Sequence, residues 1–212
     1  MLKERIVECL KKNEVVHEEF KLGASFGHFL VERDGLKAVP FDGENGIESL
    51  LEYLTRGDWE GLYEGDALIG AYKDNATVLV QAGGQIELQV AKTDSLKVID
   101  KAYLDFLHTL GSELEARNQL LLSVGYQPAS SIDEIETVPM AKAQLMAEAL
   151  KDDRAALQTL KGTAKTVVTL DYAHSDDLEK KYRVAHILAP IFAAMFDNVP
   201  VVDGVDYEGF VA

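Results

Sequence analysis

Residues 67–90 read ALIGAYKDNATVLVQAGGQIELQV, and the fold is decided here. Three short runs, 67–73, 77–81 and 85–90, are rich in aliphatic and β-branched residues. Asp74-Asn75 separates the first pair and Gly83-Gly84 the second. Asp, Asn and Gly supply the backbone angles of tight turns, so each dipeptide predicts a reversal of direction. Apolar residues alternate with polar ones along the runs. The stretch therefore reads as an antiparallel meander with one face against a core and the other open.

Upstream, residues 22–31 read as another strand, in which Phe26, His28 and Leu30 alternate with Gly23, Ser25, Gly27 and Phe29. Asp34-Gly35 is a hairpin signal, and 36–39 is the expected returning strand before Pro40. Residues 44–55 read as a helix with Ile47, Leu50, Leu51 and Leu54 on one face and Gly57 as a stop. A short amphipathic helix is expected over 2–12, with Cys9 as a small core residue beside Ile6, Val7 and Leu10.

Downstream, Leu96, Ile99, Tyr103, Phe106, Leu110 and Leu114 mark a long helix over 94–117. Residues 120–126 read as a strand ended by Gln127-Pro128, and 140–150 as a helix. A charged, irregular stretch is expected over 151–161, then a β-branched strand over 163–172. Ser175 reads as the N-cap of a last helix reaching about Asp197, which Pro190 should kink or split. The fold class is α+β: an antiparallel sheet of about six strands with helices packed on one face. No linker divides residues 1–212, so a single domain is expected.

Lys and Arg total 21 against 36 Asp and Glu, a net charge of −15. Nucleic acid and anionic membranes are excluded as partners, because phosphates demand basic stripes. No run reaches the roughly 18 apolar residues of a membrane span. One cysteine allows neither an intrachain disulfide nor a thiolate metal cluster. Residues 1–13 carry scattered charges and no signal-like apolar run, so a reducing cytoplasm is the expected location. His28 and His186 read as packed or capped histidines. His17 and His174 have no partner at a ligand's spacing.

Several segments, in order, resemble the glutamate–cysteine ligase family of plants and bacteria, enzymes that join the side-chain carboxylate of glutamate to cysteine using ATP. Gly23-Ala-Ser-Phe-Gly-His-Phe-Leu-Val31 resembles the family's first strand, G-x-E-x-E-x-F. Val39-Pro-Phe41 and 44–51 resemble the turn and helix that follow. Val80-Gln-Ala-Gly-Gly-Gln-Ile-Glu-Leu88 resembles L-E-P-G-G-Q-x-E-L. Gly125-Tyr-Gln-Pro128, Gly162-Thr-Ala164, Leu170-Asp-Tyr172 and Phe196-Asp-Asn-Val-Pro200 complete the series. The likeness runs over about 22–204 and covers the family's amino-terminal half. It implies part of a glutamine-synthetase-like barrel, with the carboxy-terminal half, which carries basic ATP contacts, absent.

The resemblance also implies a site. Family ligation passes through an acyl phosphate, with Mg²⁺ bridging the phosphates of ATP. Mg²⁺ takes hard oxygen ligands, hence clustered carboxylates. Here the two first-strand glutamates are replaced by Ser25 and Gly27, the glutamate before Pro-Gly-Gly by Gln81, and that proline by Ala82. A glutamine on the 163–172 strand is replaced by Val167, an arginine by Lys161, and an Arg-Tyr pair by Lys142-Ala143. Gln85, Glu87 and Thr163 stand as remnants, with Gln85 and Glu87 expected on one face and Glu87 the only metal ligand kept. A unit charge pair about 4 Å apart is worth roughly 4 kcal/mol at an effective dielectric near 20, so losing three carboxylates removes on the order of 10 kcal/mol of gross attraction to a metal.

Two readings follow. One is a ligase whose other half comes from another polypeptide, with Mg²⁺ and ATP as cofactors. The other is a binding or regulatory paralogue that keeps the fold and an amino-acid pocket, inactive as this chain alone and holding neither cofactor. The lost ligands favour the second, since no added half restores them. Small molecules, an amino acid or a nucleotide, are the expected ligands. A homo-oligomer or a partner chain is expected to cover the sheet edge at 163–172.

Overall fold

β1 (Leu22–Glu32) is the axis of the molecule. One edge pairs antiparallel with β5 (Ile86–Thr93), in a register setting Ser25 opposite Gln89 and Gly27 opposite Glu87. The other edge is shared end to end. β7 (Thr166–Leu170) lies along Leu22–Phe26, and β6 (Gln119–Leu122) along Phe29–Glu32. Beyond β5 the meander continues through β4 (Ala76–Val80) and β3 (Ala67–Lys73) to β2 (Glu60–Glu64). This computed structural model describes residues 2–199, 201–202 and 205–206. Met1 and Pro200, each part of a stretch read above, lie outside the described residues.

The helices α2 (Ile47–Thr55) and α3 (Leu96–Ala116) cover one face of the sheet. Ile47, Leu50, Leu51 and Leu54 meet Ile99, Phe106, Leu110 and Leu114 over the inward residues of the strands, among them Val78, Ile86 and Leu88. Both apolar stripes are those the helical period predicts. Arg117 ties the two helices, donating to Glu113 Oε1 at 2.7 Å and to Ser49 Oγ at 2.7 Å. The α+β class and the single covered face are as expected. The path β2–β3–β4–β5–β1–β6 does not close on itself among the described residues.

Several local expectations are corrected. Residues 36–39 form no strand: Leu36 has φ 54°, and only an isolated bridge joins Ala38 to Val31. The left-handed Leu36 turns the chain away before a ladder can propagate. β2 was not anticipated. α4 (Ala141–Ala149) stands where 140–150 was read as a helix, and residues 151–161 are largely helical too, in α5 (Arg154–Gly162), whose N-cap Asp153 accepts from Ala156 N–H at 3.0 Å. The last helix, α6 (Ser175–Phe196), starts one residue after its true cap, His174, whose Nδ1 accepts from Asp177 N–H at 3.4 Å. Pro190 does not split α6. The helix is exposed there, so water can take the carbonyl that proline leaves unpaired.

Cys9 is exposed, not in the core. Its helix, α1 (Leu2–Lys11), is amphipathic as read but has no buried residue. An apolar stripe becomes core only where another element meets it. α6 is likewise without a buried residue, although it is moored at both ends. Tyr172, just before it, accepts at its carbonyl from Val15 N–H, and Asn198, just after it, donates to Ser123 O at 2.6 Å.

Candidate functional site

The face of the sheet opposite α2 and α3 carries every position that the resemblance singles out on the strands. Strand period and register together set Ser25 and Gly27 of β1 beside Gln89 and Glu87 of β5, Thr77 and Leu79 of β4, and Val167 and Thr169 of β7. A groove of about 460 Å³ lies on this face, lined by Gly23, Ser25, Asn75, Thr77, Gln89 and Thr169, with Asp74 and Lys92 also bordering it. Its walls mix hydroxyls and amides with the aliphatic Ala24, Val90 and Ala91.

Glu87 is the one carboxylate among these positions, and it is already partnered. Gln81 Nε2 donates to Glu87 Oε2 at 2.6 Å, and Gln89 Nε2 donates to Oε1 at 3.2 Å. Each oxygen thus accepts from an amide N–H, which takes up a lone pair that a cation would otherwise use. Two carboxylates so close would repel and call for a metal between them. One carboxylate between two amides needs none.

Gly27 is not an emptied position but a closed one. Its N–H donates to Lys165 O at 2.9 Å. A Cβ placed there would lie 3.0 Å from Lys165 N and 3.1 Å from Lys165 O. The chain between α5 and β7 occupies the volume a side chain would need. Ser25 faces the groove and Val167 lies opposite it on β7, half exposed. Among the described residues, no group of three or more His, Cys, Asp or Glu side chains is arranged to hold a metal ion. Glu87, the expected metal ligand, is held by amides, and the donor set does not fit Mg²⁺.

Gln85 and Glu87 differ in their surroundings. β5 begins at Ile86, and Gln85 belongs to the turn before it. Its side chain is buried. Gln85 Oε1 accepts from Gly83 N–H at 3.0 Å, while Nε2 donates to Lys161 O at 2.8 Å and Thr163 O at 3.0 Å. This side chain clamps the Gly83-Gly84 turn to the end of α5. Gly83 makes the contact possible, since a Cβ there would lie 2.2 Å from Lys161 O. Thr163 is a second structural group, its Oγ1 donating to Thr159 O at 2.7 Å. Lys161 donates to Ile132 O at 3.0 Å, and burial pushes its ammonium below the usual lysine range. It is directed at the protein's own backbone.

The histidines stand outside this site. His28 is buried on the helix-covered face, with Nε2 3.0 Å from Tyr103 Oη. His186 Nδ1 lies 3.0 Å from Tyr182 O, and His17 packs on Phe20. Two features escaped the sequence reading. Gln89 was readable as the i+2 neighbour of Glu87. The cluster around Asp171 was not: Lys92 pairs with Asp171, Lys21 N–H donates to its Oδ2 at 2.9 Å, and Lys181 donates to its carbonyl at 2.8 Å. It joins residues 150 positions apart.

Residues 22–210 match the sequence pattern of glutamate–cysteine ligase family 2. The chain belongs to that family. Among curated members of the glutamate–cysteine ligase family, the chloroplastic glutamate–cysteine ligase of Medicago truncatula is 26% identical over 214 residues, covering 100% of this chain and 41% of the relative. The Nicotiana tabacum ligase is 27% identical over 205 residues, with 96% and 39% covered, and that of Arabidopsis thaliana 25% over 206, with 96% and 39% covered. The chain thus spans about two-fifths of the length of the curated ligases it matches. These relatives are all named chloroplastic, which overturns the cytoplasmic expectation. A lone cysteine indicates only a reducing compartment, a class wider than the cytoplasm.

Proposed function

We propose that this member of the glutamate–cysteine ligase family does not perform ligation as this chain alone and instead binds a small polar ligand, an amino acid, in the groove on the open face of its sheet. The observation that carries the reading is the Gln81–Glu87–Gln89 arrangement, in which amides satisfy the carboxylate that the family's chemistry would commit to a metal. The closed position at Gly27 adds to it. Ser25, Asn75, Thr77 and Gln89 offer the groove neutral hydroxyls and amides that the polar groups of an amino acid can bond, and Asp74 borders it as a partner for its ammonium. The names of the relatives favour a plastid as its compartment.

Titration calorimetry with Mg·ATP, glutamate and cysteine, each alone, tests this. Mg·ATP should give no binding heat, and an amino acid should bind with an affinity that Gln89→Ala weakens about tenfold, the loss of one good hydrogen bond. Formation of γ-glutamylcysteine by the purified chain, abolished by Glu87→Ala, would overturn the proposal.

A further inference from the structure

α1 is moored beside the groove. Its Leu10 carbonyl accepts from Tyr172 Oη at 2.7 Å, and just after the helix Val15 N–H donates to Tyr172 O at 3.0 Å. Tyr172 stands two residues beyond β7, whose Thr169 lines the groove. None of the helix's ten residues is buried, and Leu2, Ile6, Val7 and Leu10 are all exposed. At the helical period Leu2, Ile6 and Leu10 form one stripe, Lys3 and Arg5 flank it, and Glu4 and Glu8 lie on the opposite side. Ten residues of helix reach about 15 Å, and the three strand spacings from β7 across β1 and β5 to β4 come to about 14 Å. The groove meanwhile lacks a free cation. Lys92 is the one cation among the described residues that line it, and Lys92 is paired with Asp171.

We infer that α1 is a lid that closes on a bound amino acid, turning about its mooring at Tyr172 so that Lys3 and Arg5 meet the ligand's carboxylate. The inference rests on the amino-acid reading of the groove. An amino acid whose ammonium sits by Asp74 needs a cation at its other end, and the groove walls offer none that is unpaired. α1 brings two, on the flanks of the stripe that lies against the sheet in the closed form. Leu79, Ala91 and Val167 give that stripe apolar contacts on the groove face, and Gly23 leaves room for close approach. Glu4 and Glu8 then face water, away from the ligand's carboxylate. Because the helix is tethered, closure is intramolecular and needs no second polypeptide to find the groove. Water excluded under the lid strengthens the ion pairs beneath it.

Cys9 reports closure, being the chain's only cysteine, exposed, and next to Leu2 around the helix. Its alkylation by iodoacetamide, read by mass, should slow about tenfold in saturating glutamate or serine, as it does when the open form falls to about a tenth of the population. Serine stands in for cysteine, whose own thiol would consume the reagent. Ethanolamine, which is serine without its carboxylate, should leave the rate unchanged. The pair Lys3→Gln and Arg5→Gln should remove the protection and weaken calorimetric binding of both amino acids about tenfold, the loss of a charge-assisted contact. Its melting temperature should match that of the wild type, because α1 adds no residue to the core. Amino-acid binding heat with Cys9 as reactive as before overturns the lid and leaves the groove reading standing. Equal protection by ethanolamine, or protection that survives both substitutions, also overturns the lid. No binding heat from either amino acid overturns the lid and the groove reading together.

Discussion

Gln81 and Glu87 face each other across the Gly83-Gly84 turn, with amide nitrogen and carboxylate oxygen 2.6 Å apart. The pair closes the mouth of the turn on the open side of the sheet, while Gln85 Oε1 accepts the Gly83 N–H within it. A single residue type at position 81 therefore decides whether this corner is self-sufficient or requires a cation.

Gln81→Glu should set two carboxylates against each other. The variant is expected to lose about 1–2 kcal/mol at neutral pH and to regain part of it in millimolar Mg²⁺. The wild type should not respond to Mg²⁺. Thermal melts of both proteins with and without the ion check this.

Gln85→Ala should be the costliest change at these positions. It strips hydrogen bonds from buried backbone groups of Gly83, Lys161 and Thr163, at a cost of roughly 2–4 kcal/mol. Glu87→Ala leaves half-buried amides that water can serve, and should cost less than about 1 kcal/mol. Urea denaturation of the two variants should keep this order.

The positions that lost carboxylates are not equivalent. Gly27→Glu drives a side chain into the backbone of Lys165 and should destabilise the protein by roughly 1–3 kcal/mol. Ser25→Glu extends into the groove and should stay within about 0.5–1 kcal/mol of wild type. Melting curves separate the closed position from the open one.

Acid should weaken the fold in two stages. Burial pushes the His28 imidazole below its usual 6.5, so the unfolded chain takes up the proton first. The contribution of neutral His28 is present above 6.5 and is lost as pH falls through the lowered folded value. The Lys92 ammonium, with help from Lys21 N–H, holds the Asp171 carboxyl below its usual 3.8, and that contribution is lost only in stronger acid. Stability measured against pH should lose its first slope in His28→Phe and part of its second in Asp171→Asn. The remainder belongs to Glu134 and Asp177, whose lysine partners also hold them below the usual carboxylate range.

The parts of the fold legible beforehand are those whose signals are local. Asp74-Asn75 and Gly83-Gly84 mark turns whatever surrounds them, and the stripes of α2 and α3 carry the helical period over enough residues to be unmistakable. β2 was missed because Glu60-Gly-Leu-Tyr-Glu64 has too few apolar residues to show a period. α5 was hidden in a charged stretch, although Asp153 offered an N-cap. At the site, strand period placed Ser25, Gly27 and Glu87 correctly. It could not tell that Gln85 is buried, because the carbonyls it bonds, those of Lys161 and Thr163, lie more than seventy residues along the chain. The roof over Gly27 is formed by a segment more than a hundred residues away, and no local pattern announces such a contact.

The central place of β1 shapes how the protein is made. Its backbone partners reach to Thr93 on one edge and to Gln119 and Leu170 on the other. As the polypeptide leaves the ribosome, this strand emerges early and must wait for both neighbours. At about 5–20 residues per second the wait is on the order of ten seconds, during which Phe26 and Leu30 face water beside unpaired amides. The nascent chain is therefore most prone to aggregate before residue 170 is synthesised, and a chaperone acting early should raise its yield more than one acting after release.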